Sequence, residues 1–169
     1  MQPATRYTRA MKFTHTTLAV AIVLAAAGCQ SLDGGGGRNN AGRQAVTAGI
    51  AAEPKGAYYV GRRYYKVDYK FWGFVRRSGS PWSTAKLVMM NENSRIIPDR
   101  QAGKLGSDNN YEYKLSGDFS GDKVYEPASN SFYEEFVLKG YEVLSQSPGQ
   151  IYREPGATDP TRRIIPKPY

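Results

Sequence analysis

The stretch Glu112-Tyr113-Lys114-Leu115-Ser116-Gly117-Asp118-Phe119 alternates polar and apolar side chains with a period of two. Successive side chains on a strand point to opposite faces, so Tyr113, Leu115 and Phe119 share one face. Glu112, Lys114, Ser116 and Asp118 share the other. A strand with one side against a core fits this pattern; a helix, which repeats every 3.6 residues or so, does not. Leu115, at the centre of the run, is expected deep in that core. Similar alternation runs over residues 65–75, with Tyr65, Val67, Tyr69, Phe71 and Val75 on one face and Trp72 and Phe74 breaking the other. Shorter strands are predicted at 86–90, 123–125 and 136–144, the last with Gly140 as a bulge. Turn-forming clusters separate them at Ser78-Gly79-Ser80-Pro81, 106–110, Ser120-Gly121-Asp122 and Ser147-Pro148-Gly149. No amphipathic helical repeat stands out, and a content of 13 Tyr suits strands.

About five short strands between Tyr58 and Tyr152 must hide their edges, which a single small antiparallel barrel or a compact sandwich does. The expected class is all-β. A first strand ending Gly73-Phe74-Val75, a short second one, then Tyr113-Lys114-Leu115 running through a glycine turn to Lys123-Val124-Tyr125, and a last strand through Phe136-Val137-Leu138 resemble an OB-type barrel. That resemblance calls for a helix between the third and fourth strands, and residues 121–134 leave no room for one.

Ahead of this domain, residues 11–30 read MKFTHTTLAVAIVLAAAGCQ. The cations Arg6, Arg9 and Lys12 precede an apolar run from Leu18 to Ala27. A membrane-spanning helix needs about 20 apolar residues; this run has the length of a secretory signal core, about 7–15. It closes on Ala26-Ala27-Gly28-Cys29. A basic start, an apolar run, small residues and a cysteine, in that order, resemble the lipobox of bacterial lipoproteins. The resemblance implies that residues 1–28 are a signal peptide cut before Cys29. It implies a diacylglyceryl group on the Cys29 sulfur, an acylated new N-terminus, and the membrane as a partner. Several acyl chains hold far more firmly than one, each buried methylene adding about 0.8 kcal/mol. Gln30 and Ser31 after the cysteine, in place of Asp, point to the outer membrane of the cell envelope. Met11 reads as the true start of the chain.

Cleavage would discard His15, the only histidine, and lipid would block Cys29, the only cysteine. The mature chain then lacks the commonest general bases, nucleophiles and metal ligands. No catalysis and no cofactor are expected. Glu134 and Glu135 are neighbours on a strand and point apart, so they cannot form a facing carboxylate pair. Asp108, Asp118 and Asp122 lack the dense oxygen spacing of a calcium loop, so no metal is expected. Losing Arg6, Arg9 and Lys12 from the 23 cations leaves 20 against 15 acidic residues, a net charge of +5.

Residues 29–57 read as the lipidated cysteine and a flexible tether, since the four glycines from Gly34 to Gly37 specify no conformation. Residues 58–152 form the β domain. Residues 153–169, with Pro155, Pro160, Pro166 and Pro168 among Arg162, Arg163 and Lys167, form an extended tail. Within the domain, Tyr58, Tyr59, Tyr64, Tyr65, Tyr69, Phe71, Trp72 and Phe74 interleave with Arg62, Arg63, Lys66, Lys70, Arg76 and Arg77, opposed by Asp68 alone. One account is a half-buried strand whose long cationic stems cover apolar surface. The domain is then a structural or interaction module for another envelope protein. The alternative is a glycan- or polyanion-binding surface, in which rings stack on sugars and cations meet anionic groups. Its contact residues would be Arg62, Arg63, Trp72, Arg76, Arg77 and Trp82. The same pattern binds single-stranded nucleic acid in other settings, but outside the cytoplasm that partner is not expected.

Overall fold

The computed structural model describes residues 36–169; the signal segment, Cys29 and the tether up to residue 35 lie outside the described residues. Five strands make a closed barrel: β1 (Tyr59–Arg63), β2 (Gly73–Arg77), β3 (Lys86–Asn91), β4 (Glu112–Glu126) and β5 (Ser131–Ser145). Their order around the ring is β1-β2-β3-β5-β4, closing back on β1. The all-β barrel expected from the sequence is what the chain adopts. Its seams are antiparallel except for β3 and β5, which run parallel with Val88 opposite Glu134 and Asn91 opposite Val137. A ring of five strands cannot alternate direction all the way round, so at least one parallel seam is unavoidable. The ring is closed, with no free edge between its five strands.

The strand expected over 65–75 is instead the loop between two strands and the start of the second. β1 begins at Tyr59, and β2 pairs back on it with Val75 opposite Gly61. Tyr59, Trp72 and Val75 point into the barrel, against Val88, Tyr113, Leu115, Phe136 and Leu138. Val60, Tyr64, Phe71 and Phe74 point outward into a second core with Trp82, Ile151, Tyr152 and Ala157. Strands buried on both faces read as continuous apolar runs, so the alternation here gave the wrong boundaries.

The turn expected at Ser120-Gly121-Asp122 is a bulge inside one long β4. The register passes from Phe119 opposite Phe136 to Lys123 opposite Glu134, leaving two extra residues on β4. A second slip, at Ser116/Gly117, leaves Lys139 without a partner, next to Gly140 where a bulge was expected. A Cβ on Gly117 would stand 2.2 Å from the Val137 carbonyl oxygen, so the two strands close only over glycine. Because β4 absorbs both expected strands, the long crossover lies earlier, between β3 and β4. It carries the short helix α2 (Pro98–Gln101), in the position the OB-type resemblance gives to a helix.

Two segments outside the barrel complete the second core. Helix α1 (Gly36–Ala51) occupies residues that composition assigned to the tether, and it rests Val46 and Ile50 on that core. The C-terminal residues run through turns over 154–162, where an extended tail was expected, and drape on the barrel. Tyr152 bridges to Pro168, the Tyr169 amide donates to Ile151 O at 3.1 Å, and the Tyr64 hydroxyl donates to Ile164 O at 2.8 Å. Lys66 Nζ donates to Ala157 O at 2.7 Å.

Leu115 is buried in the inner core, as its place in the alternation required. Leu115→Ala is expected to lower the unfolding free energy by about 2–5 kcal/mol. Urea denaturation checks this, and an unmoved midpoint would mean the side chain carries no packing.

Candidate functional site

Of the six residues singled out as ligand contacts, five are buried and only Arg77 is exposed. The structure sorts the five into two clusters. Arg63, at the end of β1, and Trp72 belong to the barrel interior. Arg62, Arg76 and Trp82 meet at a cavity on the outside of β1 and β2.

The Arg63 cluster is a closed charge network. Arg63 donates to Asp99 Oδ2 at 2.9 Å, to Asp108 Oδ1 at 3.3 Å and to the Trp72 carbonyl. The Tyr113 hydroxyl donates to Asp108 Oδ2 at 2.8 Å. The Gly106 and Arg100 amides donate to Asp99 at 2.9 and 2.8 Å. Burial alone would raise both carboxyls. For Asp99 the hydrogen bond from Gly106, the Arg63 charge and the other donors outweigh it and hold the group below its ordinary value. For Asp108 burial wins over Arg63 and Tyr113, and the carboxyl lies above its ordinary value. The Tyr113 hydroxyl is pushed up by burial and by Asp108 beside it. This cluster pins α2 and the β3–β4 crossover onto the barrel, and no face of it meets solvent. Trp72, in the same interior, is likewise unavailable to a sugar ring.

The second cluster is built around Trp82, which a short 3-10 helix (Trp82–Thr84) after β2 turns inward. The Arg76 and Arg62 guanidinium carbons lie 4.5 and 5.2 Å from the Trp82 ring, within cation–π range. Each guanidinium is closed by one carboxylate. Arg62 donates to Glu112 at 2.6 Å, and also to Gly149 O at 2.9 Å and Asn110 at 3.2 Å. Arg76 grips both oxygens of Glu53, at 2.9 Å from Nη1 and by a second contact from Nη2. Bidentate pairing of this kind matches the planar fork of arginine to a carboxylate. The Nε atoms of both arginines are buried without a partner. A cavity of about 260 Å³ lies between these side chains, α1 and the segment around Pro148 and Gly149. The arrangement can hold a carboxylate and stack a planar group.

Arg77 sits apart, its guanidinium 5.4 Å from the Tyr59 ring, at a cavity of about 300 Å³ shared with Lys86, Ser80 and Phe119. Asp118 and Asp122 are exposed, and Asp118 pairs with Lys139, far in setting from the buried Asp108. The partners Glu53, Asp99, Glu112 and Tyr113 were not among the residues singled out from the sequence. The excess of cations in β1 and β2 was the one available signal that acids must arrive from elsewhere. Comparison with known proteins matches this chain to no family model, no curated protein and no solved structure, so the site is read from its own geometry.

Asp99→Asn leaves Arg63 facing only a carboxylate that burial already disfavours, and is expected to cost about 3–5 kcal/mol near neutrality. The Asp99 value in the folded state lies below the unfolded one. Its contribution is complete above about pH 4 and is lost as pH falls from there through the folded value. The stability gap between wild type and Asp99→Asn should therefore narrow in acid. Asp108, shifted the other way, opposes folding once ionised, so Asp108→Asn should cost less than Asp99→Asn near neutrality. Urea titrations of both variants at neutral and acidic pH check the order and the narrowing.

Proposed function

We propose that this chain is a lipid-anchored protein of a bacterial cell envelope, held at the outer membrane through Cys29, and that its barrel is a non-catalytic structural and protein-interaction module. The anchor is supported by the order of basic start, apolar run and Ala26-Ala27-Gly28-Cys29. The interaction role is supported by one observation in the fold. Three of the four arginines of β1 and β2, Arg62, Arg63 and Arg76, are buried against carboxylates, while Val67, Leu105 and Phe132 stand more than 60 % exposed. An exposed aromatic pair, Phe132 against Tyr125, suits contact with another protein better than contact with a soluble ion. Phe132 stacks against the half-exposed Tyr125 across the far end of the β4–β5 hairpin, with ring centroids 5.2 Å apart.

A second reading, glycan or polyanion binding, now depends on Arg77 and Lys86 at the cavity they share, which no acidic side chain lines. Lys86 is already paired with Glu134 at 2.7 Å, which weakens it. Salt-sensitive submicromolar binding to an anionic envelope polymer, lost in Arg77→Gln, would favour this second reading over the first.

Cys29→Ser is expected to abolish incorporation of labelled fatty acid. Labelling that persists in this variant would refute the lipid anchor. Capture of a defined envelope protein by the wild-type chain, reduced by Phe132→Ser, is the result expected of the interaction role.

A further inference from the structure

The two buried arginines at Trp82 differ in where their carboxylates come from. Glu112 is on β4, a strand of the barrel, and its backbone is held opposite Arg62 by the β1–β4 register. Glu53 lies two residues beyond α1, outside the barrel. It accepts both terminal nitrogens of Arg76 and the Gly79 amide at 2.7 Å. The Arg76 fork is thus a carboxylate-recognition site already filled by the chain's own acid.

On its C-terminal side that acid is tied through the Ser78 hydroxyl's bond to Gly56 O, and on its N-terminal side it hangs from α1, which is weak. The α1 sequence GGRNNAGRQAVTAGIA contains four glycines, each about 1 kcal/mol less favourable than alanine in a helix interior. A helix of 16 residues in such a composition is marginal on its own. From Asn40 to Ala51 none of its side chains is buried. It touches the body through Val46 and Ile50, and through Arg43 lying 4.4 Å from the Tyr169 ring. Beneath it is a second cavity of about 530 Å³. On the body side Trp82, Tyr169 and Arg153 line that cavity, α1 closes it with Arg43, Val46 and Ile50, and no acidic side chain lines it. Rings and cations without an acid are complementary to an anionic chain.

We propose that α1 and Glu53 form a detachable strap over a carboxylate-binding site made by Arg76 and Trp82, and that its partner is an acidic peptide segment whose carboxylate replaces Glu53 on Arg76. This rests on the reading of the barrel as a protein-interaction module and adds the chemistry of the partner. Glu53 competes as a tethered group, so the strap lowers the apparent affinity by the fraction of molecules in which it is closed. Removing the Glu53 charge relieves that competition. Arg76 must stay, because a lysine supplies a charge but not the two-pronged fork.

The test uses the lipidated full chain in detergent, with fluorescein-labelled octaglutamate as the probe and octaglutamine as its control. Glu53→Gln is expected to bind octaglutamate at least about tenfold more tightly than wild type, the competition having been removed. The same change should raise acrylamide quenching of tryptophan fluorescence, because Trp82 is covered by the strap while Trp72 stays inside the barrel. Adding Arg76→Lys to Glu53→Gln should take the gain away while a cooperative thermal transition persists. Equal octaglutamate affinity in wild type and Glu53→Gln would overturn the proposal, as would a gain shared by octaglutamine or one that survives Arg76→Lys. None of those results bears on fatty-acid labelling at Cys29 or on envelope capture through Phe132, so the failure of this inference is distinguishable from failure of the reading beneath it.

Discussion

The rest of the barrel depends on burying one guanidinium. Arg63 stands where β1 ends, and its charge cannot be taken out of water without compensation on several sides. The β3–β4 crossover supplies that compensation as Asp99 and Asp108, and the Trp72 carbonyl supplies the third acceptor. The crossover is the longest irregular stretch between strands, and a loop of that length would ordinarily be free to move. Here its path is dictated by Arg63. Asp99 faces Arg63 only because α2 turns it inward, and Asp108 does so while Tyr113 of β4 holds its other oxygen. One buried cation thereby fixes the end of β1, the crossover and the entry to β4, three parts that close the ring. Because one carboxyl is held low and the other pushed high, the network is not a symmetric pair. Both carboxyls face Arg63, and Asp108 also accepts from the Tyr113 hydroxyl.

How much of this was legible in the sequence depended on how many faces each strand buries. Residues 112–119 face the core on one side only, so their alternation is clean and Leu115 could be placed from it. β1 and β2 are covered on both sides, by the barrel interior and by the segment from Ile151 onward. Their apolar residues run together, and no period marks where Arg63 ends one strand and Gly73 starts the next. The arginines were misjudged for a related reason. Arginine is almost never fully buried unless paired, and the partners Glu53, Asp99 and Glu112 lie between 23 and 50 positions away in the chain. Nothing local announces such pairs. Helix α1 was invisible because it is specified neither by propensity nor by an apolar stripe. Two apolar contacts and the acid that follows it give it a place.

The second core explains why a barrel of this size carries a proline-rich tail. The short strands β1 and β2 and the loop between them leave Val60, Phe71 and Phe74 as an apolar outer face. Ile151, Tyr152 and Ala157 cover them, and the backbone of residues 157–164 takes the hydroxyl of Tyr64 and the ammonium of Lys66. Prolines suit that task, since a segment that covers side chains without joining a sheet has little use for backbone donors. Burial lowers the Lys66 ammonium from its ordinary value while Asp159 nearby pulls the other way. The amine is held by carbonyl oxygens, so its tie to the tail is directional as well as electrostatic.

Two arginines of the same chemistry, both within 5.2 Å of one indole ring, thus have different consequences because of topology alone. The pair between Arg62 and Glu112 joins adjacent strands and shares the fate of the barrel. Its two backbones stay side by side for as long as the β1–β4 seam is paired. The pair between Arg76 and Glu53 joins the barrel to a segment that lies between the β domain and Cys29, and it can be lost with every strand in place. An ion pair whose loss costs the fold is structural whatever its strength. One whose loss costs only the docking of a weak helix is free to be exchanged. Were Cys29 to carry the anchor proposed above, such an exchange would also change how far the barrel stands from it, because releasing Glu53 adds the length of α1 to the linker. Recognition of an acidic partner at Arg76 and extension of the tether are, on this geometry, one event.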